Sequence, residues 1–309
     1  MRRFSSLDIP DDARGAVAAM GNFDGVHLGH RAVIDAARSD AAGSAAPLAV
    51  ATFEPHPRTV FAPEAAPFRL MTPDTRARRL DGLGVDLLYE VPFTRDLAAL
   101  SPEAFARDVL SAALGVRHVV VGGDFRFGAK RAGDAEILIA LGKSHGFEVT
   151  VAPMVELPGG EVSSTRIRDA LSDGRPQDAA RMLGHLHRIE GEVIHGEKRG
   201  RTLGFPTANM TLDGLHLPAF GVYAVRADVL TGPHAGRYQG AASLGVRPQY
   251  GGDVPNLESF LLDFDGDLYG ERLSVGLARY IRPELRFDSE AAFLARMHED
   301  VAEARRLLA

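Results

Sequence analysis

The sequence predicts an α/β protein in two parts. The first is a doubly wound parallel-sheet domain over residues 1–184; the second is a small antiparallel β-barrel with a terminal helix over residues 185–309. Three observations carry this. The first half alternates short, continuous apolar runs with helical patterns. The second half reads as short strands punctuated by glycines. The pattern changes where a helix stops at Gly184. A chain of 309 residues suits two domains, and an apolar content of 45% lets each bury a core.

In chain order, the apolar runs of the first half fall at 17–20, 48–53, 86–91, 117–121 and 147–151. Helical patterns lie between them at 30–38, 102–114 and 135–143, and the alanine-rich stretch 41–46 reads as a loop. Buried strands separated by helices imply a parallel sheet covered on both faces. Ligands of such sheets bind at the carboxyl ends of the strands, so the loops after Met20, Phe53 and Val121 are where chemistry is expected. Helices follow at 165–171, with Gly174 just beyond, and at 178–183. Barrel strands are expected at 188–194, 221–230, 237–244, 257–264 and 273–280. The last helix starts near Asp288 and Ser289 and carries Phe293, Met297 and Val301 at a spacing of four, which is one packing face.

Composition excludes several classes of function. The net charge of -6 argues against duplex nucleic acid as the main partner. With no cysteine there is no disulfide, no thiolate metal site and no cysteine nucleophile, which suits a reducing compartment. No run approaches the ~18 apolar residues of a membrane span. Met1-Arg2-Arg3-Phe4 resembles a twin-arginine start but runs into acids and Pro10 rather than an apolar core. The sequence therefore reads as cytoplasmic, and no pattern in it fixes an oligomeric state.

The segment Gly21-Asn22-Phe23-Asp24-Gly25-Val26-His27-Leu28-Gly29-His30 joins the first strand to the first helix. Gly25 and Gly29 let the backbone approach a ligand, and the helix N-terminus offers N–H groups to an anion. His27 and His30 are three apart, so both can face one phosphate and stabilise charge that develops on it. A capping histidine, or a fragment of a zinc site lacking its other ligands, fits the same residues. In the second half, glycines at 196, 200 and 204 precede Phe205-Pro206-Thr207-Ala208-Asn209. They allow turns that point N–H groups at phosphate, although the string is not a Walker motif and also fits a basic surface hairpin.

The segment Gly21–Arg31 carries the H-x-G-H pattern of nucleotidylyltransferases. More narrowly, it resembles the N-terminal module of bacterial bifunctional riboflavin kinase/FAD synthetases. Three further segments match that family in order: Phe53-Glu54-Pro55-His56-Pro57, Gly123-Asp124-Phe125-Arg126-Phe127-Gly128, and Ser163-Ser164-Thr165-Arg166-Ile167-Arg168. The resemblance implies that this domain joins FMN to the AMP part of ATP and releases pyrophosphate. On it, His27, His30 and Arg168 are catalytic. Gly21, Phe23, Asp24, Gly29, Ser164 and Thr165 bind ATP, with Arg168 neutralising the leaving pyrophosphate. Phe53, His56, Asp124, Phe125 and Phe127 lie on the flavin side. Read from the residues alone, Ser164 and Thr165 fit helix capping, Phe125 and Phe127 fit a core, and 53–57 fits a proline-stiffened loop.

Gly196 through Asn209 resembles the phosphate loop and P-T-A-N motif of riboflavin kinases. This implies that Gly196, Arg201 and Gly204 bind phosphate and that Thr207 and Asn209 coordinate Mg²⁺, which prefers such hard oxygen ligands. Asn256-Leu257-Glu258-Ser259-Phe260 resembles the strand that carries the family's catalytic glutamate. Glu258 is then the base for the riboflavin 5′-hydroxyl; an exposed acid on an alternating strand is the plainer alternative. Asp265-Gly266-Asp267-Leu268-Tyr269-Gly270 resembles the hairpin that follows. The chain departs from the family at Ser243 and Gln249, where Asn and Thr are usual, and at Phe260, where His is usual. The resemblance spans roughly residues 18–308 and implies ATP, riboflavin and FMN as substrates and FAD as product. The alternatives are an FAD synthetase whose barrel only binds flavin, and a flavin-sensing protein on the same fold.

Overall fold

The computed structural model describes residues 1–196, 204–212, 214–249 and 252–309. By contacts the chain forms two units, Met1–Ala66 with Pro73–Ser163, and Pro67–Thr72 with Ser164–Ala309.

The first unit is built on a sheet of β1 (Arg2–Phe4), β2 (Val17–Met20), β3 (Leu48–Glu54), β4 (Leu87–Pro92), β5 (His118–Gly122) and β6 (Glu148–Ala152). All pairings are parallel, in the order β1-β4-β3-β2-β5-β6. The chain moves one way from β2 to β3 and β4, then returns to the other side of β2 for β5. The crevice beyond the ends of β2 and β5 is thus the switch point at which such sheets bind ligands. A minor antiparallel pair, β7 (Glu156–Leu157) and β8 (Gly160–Glu161), follows β6.

The unit's helices are α1 (Leu28–Ser44), α2 (Pro57–Phe61), α3 (Pro73–Gly82), α4 (Arg95–Ala99), α5 (Pro102–Ala104) and α6 (Ala135–His145). The expected helix over 102–114 is a single α-turn, α5, that runs on as a π-helical segment, Phe105–Ala113. That segment supplies Phe105, Val109 and Leu110 to a core under Ala18, Met20, Ala51, Tyr89, Val119 and Val121. The alternate strand residues Val17, Ala19, Val50 and Val120 are equally buried on the other face, where α1 crosses β2, β3 and β5. The stretch 41–46 is not the expected loop. Most of it continues α1, because alanine is the strongest helix former, and the chain turns at Ala45 with a φ of 50°.

The second unit holds α7 (Ser164–Ser172), α8 (Pro176–Leu183) and the strands β9 (His187–Glu192), β10 (Ala208–Thr211), β11 (Gly221–Val229), β12 (Gly236–Gln249), β13 (Gly252–Leu261) and β14 (Arg272–Arg282). They pair antiparallel in the order β10-β13-β12-β11-β14-β9. The Ile194 N–H donates to the Asn209 carbonyl at 2.9 Å, so the far edges meet and the sheet curls into a nearly closed barrel. Ile189, Met210, Tyr223, Val225, Leu244, Leu257 and Val275 fill it. The outer alanines Ala224, Ala241 and Ala278 admit Val301, Ala304 and Leu308 of α9 (Glu290–Leu308). That helix begins where expected, with the Ser289 hydroxyl accepting from the Ala292 N–H at 3.2 Å. The sequence pattern puts a boundary at residues 184/185. Contacts instead group α7 and α8 with the barrel, since α8 packs on β14 and β9 and the Ala219 N–H bonds the Leu171 carbonyl.

Candidate active sites

The loop between β2 and α1 lies at the switch point. Phe23 and Val26, both fully buried, hold positive φ values of 50° and 43°, a strain that surrounding packing must enforce. Thr52 on β3 helps to fix the loop, its hydroxyl donating to the Asn22 carbonyl at 3.1 Å. His27 caps α1, its Nδ1 accepting from the His30 N–H at 3.3 Å. The first turn of α1 carries no acidic residue, so nothing on the helix offsets its positive end. The rings of His27 and His30 stack at 3.6 Å, and Phe23 packs on His30 at 5.0 Å. Gly29 makes room for this, since a Cβ there would come within 3.2 Å of the His27 ring. Asp24, within the loop, is buried.

His30 Nδ1 is shielded from solvent and has no hydrogen-bond partner. Burial, and secondarily the neighbouring His27, push the His30 imidazole well below its ordinary value. It is therefore a neutral ring at physiological pH and offers a phosphate a dipole rather than a full positive charge. A buried polar atom without a partner is the kind of group a ligand completes. Among the described residues no group of three or more His, Cys, Asp or Glu is placed to hold a metal, so the zinc alternative finds no further ligand.

The residues expected on the flavin side stand at the ends of β3 and β5. Phe53 packs on Phe93 at 5.5 Å and on Phe105 at 6.2 Å. Phe105 packs on Phe127 at 5.7 Å, and Phe127 on Phe125 at 5.6 Å. Phe61, 66% exposed, extends the series through Phe93 at 5.7 Å. Phe127 is a core residue, Phe125 is half-buried and Asp124 is exposed. His56 caps α2, its Nδ1 accepting from the Arg58 N–H at 3.1 Å. Sequence reasoning missed Phe61, Phe93 and Phe105, because nothing local separates them from ordinary core phenylalanines. It also missed the ion network behind the loop. Arg76 bonds Glu54 at 3.0 Å and Glu90 at 2.9 Å, and Arg3 bonds Glu90 at 2.6 Å and Asp74 at 2.7 Å.

Ser164, Thr165 and Arg168 belong to the second unit, on the first turns of α7. Arg168 Nε donates to the Phe68 carbonyl at 2.5 Å, and its guanidinium lies 5.4 Å from the Phe68 ring centre. His216 Nε2 lies 3.1 Å from the Arg168 carbonyl and 3.1 Å from the Ser172 hydroxyl.

In the barrel, Arg201 and Gly200 lie outside the described residues. Asn209 is buried on β10, directly across from Glu258 on β13, which in turn faces Ser243 on β12. Met210, Leu257 and Leu244 alternate into the core, so Asn209, Glu258 and Ser243 share the outer face. Asn209 Nδ2 donates to the Thr207 carbonyl at 3.2 Å. A Cβ at Gly196 would fall 2.5 Å from that nitrogen, so only glycine leaves the cradle open. Gly204 holds a positive φ of 82°. The family departure at Ser243 thus adjoins Glu258. Phe260 packs on Phe205 at 5.3 Å, and Phe205 on His298 of α9 at 4.9 Å. Gln249 pairs with Gly252 at the far end of β12. Beside Gly196, the ring of His195 lies 3.9 Å from that of Tyr269, a contact no local pattern signals.

Thr207 and Asn209 offer neutral hard oxygens beside a glycine-lined space, with the carboxylate of Glu258 across the strand pair. That donor set fits a magnesium ion that keeps substrate phosphates as ligands, not an all-protein cage.

Comparison with known proteins matches residues 9–166 to the FAD synthetase family and residues 183–308 to the riboflavin kinase family. The bifunctional riboflavin kinase/FMN adenylyltransferase of Pseudomonas fluorescens is 44% identical over 297 residues, 96% of this chain and 94% of that one. The protein of the same description from Listeria monocytogenes is 38% identical, over 95% of this chain and 92% of its own. A crystal structure described as a macrolide-efflux protein from Streptococcus pneumoniae superposes with a TM-score of 0.84 at 32% identity, over 96% of each chain.

Proposed function

The chain belongs to the bifunctional riboflavin kinase/FMN adenylyltransferase family, and from that premise we propose how its residues divide the two reactions. The enzyme phosphorylates riboflavin to FMN with ATP and adenylylates FMN to FAD with a second ATP. Residues 1–184 serve the adenylyl transfer and residues 185–309 the phosphorylation.

In the kinase step, Glu258 accepts the proton of the riboflavin 5′-hydroxyl as that oxygen bonds the γ-phosphorus and ADP leaves. Thr207 and Asn209 hold the magnesium that accompanies the phosphates, while Gly196, Arg201 and Gly204 cradle them. Magnesium, when bound, neutralises charge on the transferring phosphoryl group. In the adenylyl transfer, an FMN phosphate oxygen bonds the α-phosphorus of ATP and the bond to pyrophosphate breaks. No covalent nucleophile is needed, so catalysis rests on positioning and charge stabilisation. The N-terminus of α1, with Gly21, Phe23, Asp24 and Gly29 shaping its approach, receives the phosphates. His27 and the neutral His30 contact them there. Phe53, His56, Asp124, Phe125 and Phe127 accommodate the flavin. The phosphate role of Ser164, Thr165 and Arg168 rests on their motif.

The observation that carries this division is that partnerless His30 Nδ1 lies in one unit, while Asn209 and Glu258 face each other in the other. The departures at Ser243 and Phe260 leave Thr207, Asn209 and Glu258 in place, and nothing supports a barrel that only binds flavin. Among the described residues no helix is long and apolar enough to cross a membrane, so they offer no helical span for the efflux named for the streptococcal structure. We place the enzyme in the cytoplasm, where ATP is available and a cysteine-free chain is at home.

Two substitutions test the division. His30→Ala is expected to abolish FAD formation from FMN and spare FMN formation from riboflavin, and Glu258→Ala to do the reverse. Equal damage to both steps by both changes would show that the sites are wrongly assigned.

A further inference from the structure

We infer that Asn256 is a positioning residue of the kinase step: its single carboxamide holds both the oxygen of Asn209 and the carboxylate of Glu258. The inference rests on the roles given above to those two residues. Asn256 is 6% exposed and lies two residues before Glu258 on β13, so the two share one face of the strand. Its Nδ2 donates to Asn209 Oδ1 at 3.3 Å and to Glu258 Oε1 at 3.3 Å.

The chemistry fixes the sense of that amide. Both partner atoms are acceptors, and a carboxamide nitrogen carries two hydrogens, one for each. Turned over, Asn256 would set its own carbonyl oxygen against two other oxygens. The consequence passes to Asn209, whose Nδ2 already donates to the Thr207 carbonyl. With Oδ1 tied to Asn256 and Nδ2 to Thr207, the Asn209 amide cannot flip, which fixes where its oxygen meets a ligand. The same amide holds Glu258 through Oε1 and so orients its carboxylate. One side chain thus sets the distance between the ligand oxygen and the base, a distance on which in-line transfer depends steeply.

The test uses the full chain, with Asn256→Leu removing the amide and Asn256→Asp keeping its size while losing both donors. FMN formation is expected to fall about tenfold or more in kcat, with the KM for riboflavin within about twofold. FAD formation from FMN in the same preparations is expected to stay within about twofold, which reports that the first unit is folded, while the steady KM for riboflavin reports the same of the barrel. Should the leucine variant fail to fold, the aspartate variant carries the same comparison. Two further readouts separate positioning from plain structure. In a Glu258→Gln background, Asn256→Leu is expected to cost clearly less than in the wild type, because part of its effect passes through that carboxylate and only the part through Asn209 remains. In calorimetric titrations without turnover, magnesium is expected to tighten ADP binding to the wild type and to do so less in the variants.

A kcat within about twofold of wild type overturns the inference, as does a rise in KM alone or an equal loss of both activities. If Glu258→Gln is inactive while Asn256→Leu is unimpaired, the positioning role alone is wrong. If Glu258→Gln keeps the full kinase rate, the base assignment fails and takes the positioning role with it.

Discussion

Gly196→Ala is the sharpest probe of the kinase site, because its effect follows from distances alone. A Cβ at that position lies 2.5 Å from Asn209 Nδ2, 2.9 Å from its Cγ and 3.2 Å from its Oδ1. Ordinary contact begins at 3.4 Å, so the Asn209 amide would have to withdraw by about 1 Å. It has little room to do so, being 3% exposed and bonded to Thr207 and Asn256. Gly196 does not occupy the left-handed region, so alanine brings no backbone strain and the consequence is steric. Misplacing a catalytic group by about 1 Å lowers rates on the order of 10²-fold, about 2.7 kcal/mol of transition-state stabilisation. The assay supplies riboflavin or FMN with ATP and magnesium and resolves the flavins chromatographically. FMN formation is expected to drop about a hundredfold while FAD formation from FMN holds. Gly214→Ala is the control. Its φ of 70° brings strain of about 1 kcal/mol, but no atom of the described residues lies within 4 Å of the added carbon. A Gly196→Ala enzyme that makes FMN within threefold of the wild-type rate would refute the cradle.

Gly29→Ala, whose Cβ would press the His27 ring at 3.2 Å, is expected to slow FAD formation about tenfold and leave FMN formation unchanged; the reverse selectivity would move His27 out of the adenylyl site. Arg76→Met strands Glu90, which is 2% exposed, and is expected to lower the stability of the first unit by about 3–5 kcal/mol in urea; a change under about 1 kcal/mol would show that Arg3 suffices. Burial, then the charges of His216 and His185, lower the His187 imidazole from 6.5 to about 3. The unfolded chain therefore takes up a proton below pH 6.5 that the folded barrel refuses until about pH 3, so stability is full above that window and falls through it by up to ~1.4 kcal/mol per pH unit. His187→Leu is expected to flatten this slope by one proton, read from denaturant midpoints at pH 7 and pH 5, and parallel slopes for the two proteins would contradict it.

Much of this architecture was legible in the sequence, for identifiable reasons. Strands β2 to β6 were readable because a parallel sheet covered on both faces demands continuous apolar runs. The edge strand β1 was not. It is three residues long and begins Arg2-Arg3, and Arg3 is held by the distant Glu90 and Asp74. Likewise, α2, α3 and α4 lack a long apolar stripe. The His27 and His30 pair was legible from spacing and from its place after a strand. The neutrality of His30 was not, because burial of its ring is a tertiary property.

The kinase site shows most clearly where local reading stops. Alternation along β13 already places Asn256 and Glu258 on one face, but the pairing of Glu258 with Asn209 is set by the register of β10 against β13. That register is fixed by residues with no chemistry of their own. Met210 and Leu257 pair with each other and are both fully buried, so their side chains commit the two strands to one orientation. Slipping β10 by one residue would turn Met210 to the outer face and carry the Asn209 amide into an apolar core, where it would lose its partners on Thr207 and Asn256. Asn209 and Glu258 are thus held in place by the apolar residues between them. The short strand β10, absent from the sequence reading, is what brings Asn209 to Glu258, nearly fifty residues further along the chain.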